Sequence, residues 1–200
     1  MRRARAPAFV VACATIACTA IGCGGGDEVR RTFYADGKPW SELHVRDGQP
    51  DGPFTTWYGN GQKAREGGHF AGRLHGQVTE WHDDGTVVLA CSYDRGYLDG
   101  PWSEHWSNGK ERCRATYRAG KLEGLYTEWN RDGVKILEGP YVDGLRDGEW
   151  TGWFPDGKPR RTSKYVKGNL ATDVDRSRRA KEGDVAPHAQ DGAAGDAKKD

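Results

Sequence analysis

The chain has 200 residues, a formal net charge of +1 and 36% hydrophobic residues, with 29 glycines and a single methionine. Near-neutral, interleaved charge points to no nucleic-acid or acidic partner, and the glycine content without long amphipathic patterning excludes a helical bundle. This composition suits a turn-rich all-β protein whose thin core is local to each unit.

In chain order, residues 1–23 read as an export signal. Arg2, Arg3 and Arg5 precede a short apolar run from Phe9 to Ile21, which is too short to span a bilayer comfortably. The segment Ala20-Ile21-Gly22-Cys23 resembles the lipobox of bacterial lipoproteins. That resemblance implies lipidation at Cys23, residence in the bacterial cell envelope and, with Gly24 following, sorting to the outer membrane. Residues 24–30 then form a tether.

From residue 31 to about 170 the sequence repeats every 24 residues. One glycine series runs Gly37, Gly61, Gly85, Gly109, Gly133 and Gly157, each preceded by Asp or Asn. Two further series keep the same step: Gly52, Gly76, Gly100, Gly124 and Gly148; and Gly48, Gly72, Gly96, Gly120, Gly144 and Gly168. Between them stand β-branched and aromatic runs such as Tyr126-Thr127-Glu128-Trp129, the signature of strands. Pro155-Asp156-Gly157 predicts a three-residue hairpin loop with a glycine bulge. The expected register puts Thr79 and Trp81 on one face with Val87, Leu89, Cys91 and Tyr93, and the glutamates on the wetter face. About six hairpins then make an elongated single-layer antiparallel meander of about twelve strands, roughly 55–60 Å long.

The pattern Gly-x-aromatic-Thr-Glu-Trp-x-x-Asp/Asn-Gly-Lys resembles the MORN repeat in its bacterial variant form. The resemblance implies a non-catalytic, hairpin-built interaction module. Bacterial relatives are often antitoxin-like, and eukaryotic ones act as scaffolds or membrane-associated modules. From Ala171 to Asp200 the chain has no aromatic residue and reads as a disordered tail.

Candidate chemistry is sparse. The six histidines lack metal-ligand spacing, so no metal and no cofactor is expected. Cys91 and Cys113 fall on returning strands with one strand between them, roughly 10 Å apart and beyond bridging distance. They are expected as buried free thiols. His105 stands where other units have tryptophan and is expected as a packed core imidazole. Glu80, Glu104 and Glu128 repeat about 10 Å apart, wider than glycosidase pairs of about 5–9.5 Å. The candidate binding residues are Trp57, Trp81, Trp106, Trp129 and Trp153 with Glu80, Glu104 and Glu128. The tryptophans serve equally as the sheet's own core. The leading expectation is an envelope-anchored, non-catalytic module that binds a protein partner and meets the membrane through its lipid. No small-molecule ligand is expected. An antitoxin or immunity protein, and a carbohydrate or peptidoglycan binder, are the alternatives.

Overall fold

The computed structural model describes residues 26–175, so the signal segment, Cys23 and the chain after Asp175 lie outside the described residues. The strands are β1 (Asp27–Phe33), β2 (Pro39–Arg46), β3 (Gln49–Trp57), β4 (Lys63–Phe70), β5 (Arg73–Leu74), β6 (Gly76–Trp81), β7 (Val87–Asp94) and β8 (Tyr97–His105). They continue as β9 (Glu111–Arg118), β10 (Lys121–Leu122), β11 (Gly124–Trp129), β12 (Lys135–Val142), β13 (Leu145–Arg146), β14 (Gly148–Trp153), β15 (Pro159–Val166) and β16 (Asn169–Asp175). All sixteen join one open antiparallel sheet in chain order, with no helix among the described residues. The two-residue strands β5, β10 and β13 only finish turns on β4, β9 and β12. Thirteen strands therefore lie side by side, spanning roughly 58 Å.

Two kinds of hairpin alternate. In the first, the Gly37 amide donates to Tyr34 O at 3.0 Å and the Tyr34 amide to Lys38 O at 2.8 Å. This is the expected three-residue loop, a type I turn closed by a left-handed residue, Gly37 at φ +85°. The Asp or Asn before each glycine has its own role. In five of the six its side chain accepts from the amide two residues on, as when the Thr86 amide donates to Asp84 Oδ1 at 2.8 Å; in the unit of Asp132 the Val134 amide donates to Asn130 Oδ1 instead. The second hairpin is closed by a two-residue turn. Ala71 and Gly72, with φ of +48° and +76°, form it, and the other units match. These turns are stitched together across units: the Gly72 amide donates to Pro50 O and the Gly96 amide to Leu74 O, at 2.8 and 2.7 Å.

The core is one row running across the strands. Leu43, Phe54, Gly67, Val78, Cys91, Trp102, Ala115, Tyr126, Gly139, Trp150 and Ser163 lie opposite one another in that order. From Phe54 onward, large residues alternate with small ones, so each ring seats over a neighbour with little or no side chain. Trp150 is 2% exposed and Val78 1%. Beside this row Tyr93, Tyr117, Tyr141 and Tyr165 each lie opposite a left-handed glycine.

A second irregularity was not expected, and it reverses the face assignment. Trp81 does pair with Val87, but Glu80 pairs with Leu89 and Val78 with Cys91, leaving Val88 as an extra residue. The same bulge recurs at Ala64, Arg112, Ile136 and Arg160. One extra residue flips the alternation beyond it. Leu89, Cys91 and Tyr93 therefore share a face with Val78 and Glu80, and Thr79 and Trp81 point the other way.

Both ends of the sheet are longer than expected. Asp27–Arg30, assigned to the tether, belong to β1, and Ala171–Asp175, assigned to the disordered tail, form most of β16. The last strand is also displaced. Val174 holds the 24-residue position of Trp150, yet it is Asp173 that lies opposite Ser163, while Val174 faces Thr162 and is 54% exposed. Earlier units use a left-handed glycine at this bend, and Thr172 stands in its place. The bend is shortened and the strand slips by one residue. Arg161 Nε and Ser163 Oγ each donate to Asp173 Oδ1 at 2.7 Å. These hydrogen bonds hold the Asp173 carboxyl down at about 2. A carboxyl pKa depressed in the folded state stabilises above the unfolded value of about 3.9, and that contribution is lost as pH falls through the folded value. The NMR signals of Ser163 and Asp173 should thus stay native at about pH 4 and shift as the pH falls through about 2. Asp173→Asn should flatten that transition; an unchanged transition in the variant would contradict the assignment.

Candidate functional site

The tryptophans proposed for binding are not one set. Trp57, Trp81, Trp129 and Trp153 lie on the face opposite the core row, half-buried, in line with Thr55, Thr79, Thr127 and Thr151. The large indoles of the core are instead Trp102 and Trp150. Cations cover three rings of the outer ladder: Lys63 Nζ lies 5.9 Å from the Trp81 centroid, Arg114 Cζ 5.5 Å from Trp129 and Lys135 Nζ 5.3 Å from Trp153. Each cation is itself paired, Lys63 with Glu66, Arg114 with Glu111 at 2.6 Å and Lys135 with Glu138 at 2.6 Å. The ladder is thus a line of indoles separated by ion pairs, its rings already engaged on one side. Trp106 stands apart at a turn. Arg112 and Arg131 lie 4.9 and 5.3 Å from its ring, and its Nε1 donates to Trp129 O at 3.1 Å.

His105 takes the ladder position in the central unit. It is therefore not in the core, as expected, but half-buried on the outer face, with Nδ1 buried and unpartnered. Two companion positions change in the same place. Where other units carry Lys63–Glu66, Glu111–Arg114 and Lys135–Glu138, this one carries Val87 and Ala90. Over Ala90 lies a shallow depression of about 230 Å³ on the outer face, bordered by neither Val87 nor His105. Sequence reading missed it, although the signal was present as an alanine at a position charged in the neighbouring units.

Glu80, Glu104 and Glu128 also sit on the other face from the one expected. They share the core side, in a row with Leu89, Cys113 and Leu137 between and beyond them. Arg65 Nε lies 3.0 Å from Glu80, and Arg112 donates to Glu104 at 3.1 Å. Leu89 separates these two carboxylates, and each is held by its own arginine. The ladder of glutamates and the ladder of tryptophans thus occupy opposite sides of the sheet and cannot form one site.

Cys91 and Cys113 are free and buried, on β7 and β9 with β8 between them. Burial raises both thiols, Cys113 to about 11. At pH 8 only about one Cys113 thiol in a thousand is then thiolate, the nucleophilic form. Alkylation without reductant should be slow for the folded protein and should label both cysteines once it is unfolded. Fast labelling of the folded protein at pH 8 would be inconsistent with this core.

Among the described residues no three His, Cys, Asp or Glu side chains come together as a metal site. Residues 146–167, the unit that contains Trp150 and Trp153, match the family described as MORN repeat variant. No curated protein matches the chain. MORN repeats are generally protein- or membrane-interaction modules and a non-catalytic repeat type.

Proposed function

We propose that this chain is a non-catalytic interaction module of the bacterial envelope, lipid-anchored through Cys23 and presenting its repeat sheet to a protein partner. The single layer of thirteen strands carries this reading: it leaves a long outer face on which four half-buried tryptophans alternate with ion pairs. Indole and arginine are the side chains most enriched among binding hot spots.

Metabolic fatty-acid labelling of the wild type beside Cys23→Ser, with fractionation, tests the anchor. Label that depends on Cys23 is expected in the envelope fraction. Cross-linking in solubilised envelopes tests the face: Trp81→Ser with Trp129→Ser should lose the partner while keeping the fold. Unlabelled protein in the cytosol would instead favour an antitoxin role, because a cytoplasmic toxin is out of reach of an exported protein.

A further inference from the structure

We propose that the depression over Ala90 is a subsite for one neutral sugar ring of a glycan chain, a ligand beyond the protein partner and independent of it. Its floor is one register row across four strands, Thr79, Ala90, Ser103 and Arg114 on β6 to β9. Gln77, Cys91, Ser92, Pro101, Trp102 and Glu111 complete the lining. Ala90 and Pro101 offer a flat apolar patch for the C–H face of a ring. Around it the Thr79, Ser92 and Ser103 hydroxyls and the Gln77 amide offer donors and acceptors to ring hydroxyls.

Charge decides the class. The cation at the end of that row, Arg114, already gives Nε and Nη2 to the two Glu111 oxygens, at 3.0 and 2.6 Å. A phosphate or carboxylate would find no free partner there, whereas a neutral ring needs none. Size decides the extent. Drug-sized ligands fill about 300–1,000 Å³, so a depression of about 230 Å³ takes a single ring rather than a nucleotide. The repeat supplies the contrast. Glu66 and Arg114 occupy the Ala90 position in the flanking units and Glu138 in the next, and each is held there in an ion pair.

Calorimetric titration of the full chain with chitotetraose, cellotetraose and maltotetraose tests the subsite. At least one is expected to bind with a Kd of about 0.1–1 mM. Ala90→Glu installs a side chain that the fold already accepts at two sister positions, so it should melt like the wild type and bind at least tenfold more weakly. Ser103→Ala, which keeps the fold whatever happens to Ala90→Glu, should weaken binding several-fold. No heat with any of the three sugars at 10 mM, or wild-type affinity in both variants, would overturn the proposal. Loss of the protein partner in Ala90→Glu without sugar binding by the wild type would assign the depression to that partner, and would overturn it too.

Discussion

Replacing Trp150 with alanine is expected to cost about 3–5 kcal/mol, far more than replacing any tryptophan of the outer ladder. Trp150 is 2% exposed, donates from Nε1 to Pro140 O at 3.0 Å and meets Tyr141 edge-on at a centroid distance of 5.0 Å. Tyr126 and Tyr165 lie 5.9 and 6.4 Å away, and the Arg146 guanidinium sits 4.0 Å over the ring. Truncation removes the centre of this cluster, leaves a cavity and leaves the Arg146 guanidinium with the Tyr165 ring alone, 5.4 Å away. For a domain of this size the melting temperature should fall by roughly 6–20 °C. Units of a repeat sheet touch only their neighbours, so amide exchange should quicken first in β12 to β16. Trp129→Ala, half-buried under Arg114, should cost about 1 kcal/mol. Equal losses at the two positions would mean that the faces have been assigned wrongly.

Gly139→Ala should be nearly as harmful, for the opposite reason. A methyl group at Gly139 would lie 2.3 to 2.5 Å from Cδ2, Cγ and Cε2 of Trp150, closer than real contacts allow. The nearest atoms belong to the ring system, whose exit is blocked by Tyr141 and Arg146. Overpacking of this kind costs typically 1–3 kcal/mol. The cost comes from size alone, since Gly139 has no left-handed φ. A double-mutant cycle isolates it. The three nearest atoms all belong to the indole, so an alanine at 150 removes the clash. In a Trp150→Ala background, Gly139→Ala should become close to neutral, giving a coupling above about 1 kcal/mol. A cost that stays the same in both backgrounds would show that the strain lies elsewhere.

The contrast between what could and could not be read ahead of the structure follows from chemistry. The 24-residue step, the Asp/Asn-Gly turns and the three-residue loop are legible because each rests on a residue with a backbone job that few others perform. The separation of Cys91 from Cys113 is legible for the same reason, being fixed by the turns. The bulge that reverses the faces is not. Its residues are Trp40, Ala64, Val88, Arg112, Ile136 and Arg160, which share no property, so nothing in their side chains announces an extra residue. Because side chains alternate strictly, one unseen residue sent the tryptophans to the outer face and the glutamates to the core side. Ala171–Asp175 looked like tail for a related reason: its hold on the sheet comes from Arg161 and Ser163, ten residues and more upstream, and not from its own hydrophobicity.

The displaced last strand bears on how the array knows its own length. Identical units have no built-in end, and each finished hairpin is a mould for another, whether from the same chain or from a neighbour. Here the final rung carries a carboxylate where an indole, phenol or valine would be, so an incoming copy of the motif meets a mismatched surface. Thr172 works as a full stop. Thr172→Gly should let Val174 turn inward, and the reopened mould should reveal itself as concentration-dependent growth into longer particles in light scattering.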